Sequence, residues 1–373
     1  MTKKLKVMTI FGTRPEAIKM APIVLQLQQQ TDKFIPITVV TAQHREMLDQ
    51  VLAIFKLKPD YDLNIMQPNQ TLAGITSRVL TKLDVIMAEA QPDIVLVHGD
   101  TTTTFAASVS AFYHQIPVGH VEAGLRTWDK YSPYPEEMNR QLTDVLADLY
   151  FAPTTLSKTN LLKEHHPAEQ IAVTGNTAID ALAQTVSETY HHAALDLVQP
   201  GHRMILLTMH RRENQGAPME TVFKTIKSVV ATHPDVEVVY PVHLSPAVQT
   251  VAKRILGHTD RIHLIDPLDV VDFHNLSARS YFIMTDSGGV QEEAPSLNKP
   301  VLVLRETTER PEGVTAGTLK LVGTDAATVR SAMETLLDDP AEYAQMAAAK
   351  NPYGDGHAAE YILKAVWKHF NHE

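Results

Sequence analysis

Short apolar runs alternate with longer stretches of helical periodicity from one end of the chain to the other. The runs at 7–11, 37–41, 94–97, 118–121, 150–152 and 171–174 are nearly continuous in hydrophobicity, the pattern of strands buried on both faces. Between them, 15–29, 45–55, 72–90 and 137–147 repeat with helical spacing, and in the last of these Met138, Leu142, Val145 and Leu146 share one face. A polar stretch around 191–203 precedes a second series of strands at 204–208, 236–240, 262–265, 281–284 and 301–304, and helical stretches close the chain, the last near 358–370. Alternation of this kind predicts an α/β fold of two doubly wound, Rossmann-like domains, with ligand expected where the strand C-termini of both face a cleft. The expected boundaries are 1–175 for the first domain and 176–357 for the second, with helix 358–373 packing back on the first.

Two strand ends stand out. The run at 94–97 breaks at His98-Gly99-Asp100 before four threonines, and Ile283-Met284 breaks at Thr285-Asp286-Ser287-Gly288-Gly289. Small-residue turns that open a helix present unsatisfied N–H groups and the positive end of a helix dipole, so they suit anions. Two such turns in separate halves predict a phosphorylated ligand. The first turn of the chain, Phe11-Gly12-Thr13-Arg14-Pro15-Glu16, places Arg14 where it could meet a phosphate or simply sit in solvent. Neither G-x-G-x-x-G nor G-x-x-x-x-G-K-[ST] occurs, which argues against a held dinucleotide cofactor or a P-loop.

Composition narrows the partners. The 373 residues exceed one comfortable core, and a net charge of −10 argues against nucleic acid or an anionic membrane, so any phosphate site must be local. No cysteine is present, which excludes thiol chemistry and fits a cytoplasmic protein. Lys3 to Phe11 superficially resembles a secretory leader, but Lys6 interrupts its apolar core and a first strand is the better reading. No metal and no cofactor are expected. The histidine pairs His165-His166 and His191-His192 lack ligand spacing, and Ser287 lacks the nucleophile-elbow pattern.

Asp100, Glu122 and Glu136 form the most telling set. The first two close neighbouring strands, and Glu136 sits in the loop before a helix. Carboxylates crowded at one sheet edge acquire separated pKa values, the arrangement used for general acid and base work. Asp100 could equally cap the following helix, and Glu136 could supply favourable first-turn charge. Glu122 has no such alternative. At the end of the strand at 204–208, His210 is followed by Arg211-Arg212-Glu213, a group suited to a diphosphate. Arg310 reads as a loop residue of the same cleft.

These blocks, with His120-Val121-Glu122-Ala123-Gly124-Leu125-Arg126, Pro135-Glu136-Glu137, His210-Arg211-Arg212-Glu213, 285–295 and Asn351-Pro352-Tyr353-Gly354-Asp355-Gly356, closely resemble the bacterial non-hydrolysing UDP-N-acetylglucosamine 2-epimerases. The resemblance spans nearly the whole chain. It implies a glycosyltransferase-B-like fold and reversible epimerisation at C2 of UDP-N-acetylglucosamine, supplying cell-surface polysaccharide synthesis. It places the catalytic groups at Asp100, Glu122, Glu136 and His210. The nucleotide site falls on Arg14, Lys19, Leu268, Phe273, Ser287, Gly288, Gly289, Glu293 and Arg310, with Glu293 at a helix start facing the ribose. A second UDP-N-acetylglucosamine, an activator, would meet Gln43, His44, Gln70, Arg211 and His243. A homodimer is implied as well. Met209 departs from the pattern, which has a small residue before the histidine, and so bears on the loop's shape.

The chemistry explains the residue types. C2 bears no adjacent carbonyl, so its proton is removable only as UDP leaves C1 and a glycal forms. Such a reaction needs a base, an acid for the other face, and cations for the departing UDP. The rivals are a hydrolysing epimerase, a nucleotide-sugar glycosyltransferase, and a catalytically silent sugar-nucleotide sensor.

Overall fold

In the computed structural model, residues 3–371 are described, apart from His44 and Asn69. The chain forms two compact units, 1–181 with 353–373, and 182–352.

The first unit is built on seven parallel strands, β1 (Leu5–Phe11), β2 (Phe34–Val40), β3 (Tyr61–Asp62), β4 (Ile94–His98), β5 (Val118–Val121), β6 (Leu149–Ala152) and β7 (Ile171–Val173), in the order β3-β2-β1-β4-β5-β6-β7. Among the helices that join them are α1 (Arg14–Gln29), α2 (Arg45–Ile54), α3 (Leu72–Ala90), α4 (Thr102–Tyr113) and α5 (Glu136–Leu146). The second unit repeats the plan with β8 (Arg203–Thr208), β9 (Val236–Pro241), β10 (Ile262–Ile265), β11 (Phe282–Thr285), β12 (Val301–Val303) and β13 (Leu319–Leu321), ordered β10-β9-β8-β11-β12-β13. Both sheets are Rossmann-like and parallel throughout, as the alternation predicts. The strands β3 and β13 were not expected, being too short to register as a pattern.

Two elements differ from expectation in instructive ways. Residues 176–181 and 353–357 belong with the first unit. The Asn176 amide N–H donates to the Tyr353 carbonyl at 2.7 Å, and the buried Asp180 carboxylate accepts from the N–H groups of Ala358 and Ala359 at 3.1 and 2.8 Å. Asp180 thereby satisfies the first turn of the closing helix Ala358–Asn371. That helix packs Ile362, Leu363 and Val366 into the core cluster of β1 and α1, with Trp367 edge-on to Phe34 at 5.6 Å.

The second departure is α5. Its shared apolar face is turned outward, with Val145 73% and Leu142 40% exposed, while Glu137, Asn139, Thr143 and Asp144 are buried. The polar side faces inward because a buried charge network needs it. Asp144 lies 2.5 Å from His120 Nδ1 and 2.6 Å from the Arg126 guanidinium, which also reaches Glu164. Burial pushes Asp144 up, but His120 and Arg126 outweigh it and hold the carboxyl below its ordinary range.

Candidate active site

The edge of the first sheet gathers the carboxylates. Strands β4 and β5 pair in parallel with His98 opposite Val121, and the Gly99 N–H donates to the Val121 carbonyl at 2.9 Å. Asp100 and Glu122 therefore leave adjacent strands at the same end. Thr101, not Asp100, caps α4, accepting from the Thr104 N–H. Asp100 is thus released from the structural role the sequence allowed it. Arg140 donates to Asp100 Oδ2 at 2.6 Å and the Asn139 side chain donates to the Asp100 carbonyl at 2.9 Å. Burial raises the Asp100 carboxyl above its ordinary range, aided by Glu122 and opposed by Arg140 and Lys19.

Glu122 has a left-handed backbone, φ 67°, which side chains other than Gly, Asn and Asp seldom adopt. Its N–H and that of Ala123 both donate to the Phe151 carbonyl at the end of β6, fixing the turn. The Lys19 ammonium reaches Glu122 Oε1, and Asn176 Nδ2 donates to the same oxygen at 2.9 Å. Lys19, expected among the nucleotide ligands, is thus a partner of the carboxylate. Asn176 was not singled out in the sequence at all.

Glu136 is the first residue of α5 rather than a loop residue before it. Asn139 and Arg140, one turn along the same helix, are the groups that hold Asp100. The third acid is therefore carried on the element that anchors the first. Arg14 opens α1 and is exposed, beside a capping box in which buried Glu16 accepts from the N–H groups of Gly12 and Thr13. Gly12 is required, because a Cβ there would collide with the Thr41 hydroxyl. The Gln70 side chain donates to the Gln43 carbonyl at 3.1 Å, so these two expected activator residues adjoin, while His44 lies outside the described residues.

In the second unit the organising group is Asp286, which sequence reasoning passed over in favour of the glycines after it. Fully buried at the end of β11, its Oδ2 accepts from the N–H groups of His210 and Arg211 at 2.9 and 2.8 Å and from the Asn214 side chain at 3.0 Å. One carboxylate thus shapes the His210 loop. The signal was available, since an acid just past a buried strand stands at the sheet edge as Asp100 does. Met209 fits this loop, because its side chain is buried in the core and its carbonyl accepts from the Tyr240 hydroxyl. His210 stacks on His243 at 5.3 Å. Burial holds the His210 ring below its ordinary 6.5, with His243 and Arg211 adding to the effect and Asp286 opposing it.

Ser287 holds the position before the short helix Gly288–Glu293 without a side-chain capping bond among the described residues. The Arg310 guanidinium lies over Gly288, where a Cβ would stand 2.8 Å from its central carbon, and its Nε donates to Glu292 at 2.8 Å. Glu293 ends this helix instead of starting one, since the turn Ser287-Gly288 begins the helix earlier than the sequence suggested. Its carboxylate lies 3.5 Å from His274 Nε2. Phe273, partly buried on Val270–Arg279, packs with Leu268 at one core cluster, and Leu268 also lines a pocket of about 530 Å³ with His192, Lys253 and Asp272.

The chain is similar to known proteins over nearly its whole length. The sequence profile of UDP-N-acetylglucosamine 2-epimerases matches residues 26–367. The UDP-N-acetylglucosamine 2-epimerase of Bacillus subtilis (strain 168) is 62% identical over 372 residues, 99% of this chain and 97% of that one. A structure from Listeria monocytogenes superimposes with a TM-score of 0.96 at 57% identity, covering 100% of this chain and 98% of that one. The Neisseria meningitidis UDP-GlcNAc 2-epimerase bound to UDP-GlcNAc superimposes with a TM-score of 0.88 at 49% identity, covering 98% and 100%. These neighbours carry the same pair of parallel sheets, the glycosyltransferase-B-like architecture. The chain belongs to the UDP-N-acetylglucosamine 2-epimerases, a family of isomerases.

Proposed function

We propose that the protein interconverts UDP-N-acetylglucosamine and UDP-N-acetylmannosamine by eliminating UDP to 2-acetamidoglucal and adding it back on the other face. The observation that carries this reading is the grouping of acids at one sheet edge, with Asp100 and Glu122 at neighbouring strand ends and Asp100 anchored by the helix that begins with Glu136. Epimerisation needs a proton removed from one face of C2 and another delivered to the opposite face, so a single carboxylate does not suffice. Asp100, raised above the ordinary carboxylate range first by burial, is biased toward the protonated form that an acid in this reaction needs. His210, the Ser287 turn and Arg310 are the groups for UDP. The departing diphosphate would draw His210 toward its charged form, against the burial that lowers it.

NMR of UDP-N-acetylglucosamine incubated with the protein in D2O tests the reading. The expected product is UDP-N-acetylmannosamine carrying deuterium at C2. A manno product without deuterium excludes elimination and re-addition. Free N-acetylmannosamine with UDP would identify a hydrolysing enzyme, and UDP release without any manno sugar would favour a transferase. The absence of cysteine suits action in the cytoplasm, and among the described residues no helix is long and apolar enough to cross a membrane.

The same reading assigns Gln43, His44, Gln70, Arg211 and His243 to a second UDP-N-acetylglucosamine that acts as activator. The adjoining of Gln43 with Gln70, and of His243 with His210, supports it. Rate against UDP-N-acetylglucosamine is expected to be sigmoidal, and the manno sugar alone to react slowly until traces of the gluco sugar are added. Hyperbolic kinetics, unaffected by such traces, would remove the activator.

The outward face of α5 is where we place a second copy of the chain. Leu142 and Val145 are exposed on it, and Phe112 and Tyr113 are 59% and 71% exposed at the end of α4, which packs against α5. Apolar side chains grouped in this way mark an association surface. Light scattering should find a dimer in solution, and Val145→Glu should yield monomer with unchanged circular dichroism. A monomeric wild type would overturn the assignment.

A further inference from the structure

One buried side chain beside the acids has no part in the scheme so far. His98 ends β4 and is 4% exposed, yet neither of its ring nitrogens has a hydrogen-bond partner among the described residues. Buried polar atoms are almost always paired, so an orphaned pair marks a group kept for some purpose other than packing. Its Nε2 is aimed at Glu122, 3.6 Å from Oε2, just beyond hydrogen-bond length. The two oxygens of that carboxylate thus meet different neighbours, Lys19 and Asn176 at Oε1 and His98 at Oε2. Gly99 permits this approach, since a Cβ there would lie 3.3 Å from Oε2.

Resting on the epimerase reading, we propose that His98 is a positioning residue for Glu122. Its Nε2 closes on Oε2 when substrate is bound, and accepts the hydrogen bond that the carboxyl group gives once it carries a proton. No bond to His98 is made or broken. The C2 proton moves to Glu122, and the new O–H points to the imidazole lone pair rather than back into the reacting sugar. Such a partner must be neutral. Burial holds the His98 ring down to about 4, with Lys19 and His120 adding to the effect and Glu122 opposing it, so the lone pair is available throughout the neutral range. His120 offers no equivalent, because its two nitrogens face the Asp144 carboxylate and the Gly99 carbonyl.

The test compares His98→Gln, His98→Asn and His98→Phe in the full-length protein, by kcat, KM, UDP affinity and the pH dependence of kcat. The Gln amide reaches the place of Nε2 and can turn its oxygen there to accept, whereas the Asn amide reaches only the place of Nδ1. The expected result is a loss of kcat on the order of 10- to 100-fold in the Asn and Phe variants. KM and UDP affinity should be unchanged, the acidic limb of the pH profile displaced, and most of the rate restored by Gln. Wild-type rates in all three variants, or equal losses in Gln and Asn with the pH profile unmoved, would overturn the proposal. A wild type that makes no manno sugar would instead remove the reading on which it rests. Should no variant fold, nitrogen NMR of the histidine rings in wild type and Glu122→Gln decides the matter. A changed Nε2 signal at His98 supports the contact, and identical signals overturn it.

Discussion

Glu122→Gln should reduce kcat by about 10²- to 10⁴-fold, the range spanned by removal of a positioned acid or base. The amide has nearly the same shape, and its oxygen can still accept from Lys19 and Asn176, the two contacts on Oε1. What it loses is the capacity to take up and return a proton. The effect should therefore fall on kcat, with UDP affinity by calorimetry preserved, because the groups proposed for UDP belong to the Asp286 and Ser287 region of the other unit. Isotope exchange at C2 in D2O should fall in parallel. A variant that turns over at the wild-type rate would remove Glu122 from the chemistry and leave Asp100 and Glu136 to account for both faces.

The second large effect concerns folding. Asp144→Ala should destabilise the protein by about 3 kcal/mol or more, read from urea denaturation, because removing one member of a buried charge network leaves the others uncompensated. Asp144, Arg126 and His120 have fully buried side chains, and of the two carboxylates that meet Arg126 among the described residues only Glu164 would remain. The pH dependence follows from the same network. Asp144 is held below its ordinary 3.8, so its contribution is fully present above that value and is lost as pH falls through the lower folded-state value. The stability difference between wild type and variant should accordingly be constant at neutral pH and shrink in strong acid. A variant as stable as wild type would show that the network adds nothing net.

How much of this was legible in the sequence depends on which physical signal each residue carried. Buried parallel strands announce themselves as apolar runs, and the residue after each run lands at the sheet edge, which is why Asp100, Glu122 and His210 could be located without coordinates. Partnerships between distant residues leave no such trace. Lys19, Asn176 and Asp180 act on groups far along the chain, and nothing local distinguishes them from solvated side chains. Periodicity also has no sign. It identified the apolar face of α5 but could not say that the face points outward, because the buried Asp144 and Asn139 owe their position to Arg126, His120 and Asp100, contributed by other segments. Glu293 was misplaced for a simpler reason, since a six-residue helix is too short to show where it starts.

The left-handed backbone at Glu122 sets two kinds of fitness against each other. A residue of this type in that conformation costs on the order of 1 kcal/mol that glycine would not. Substitutions that relax the turn are therefore easy to reach, and each discards the carboxylate. A search of sequence space scored on thermal resistance alone would drift away from glutamate here while keeping everything around it. On the proposed role of Glu122, the resulting proteins would fold well, resist heat and do nothing.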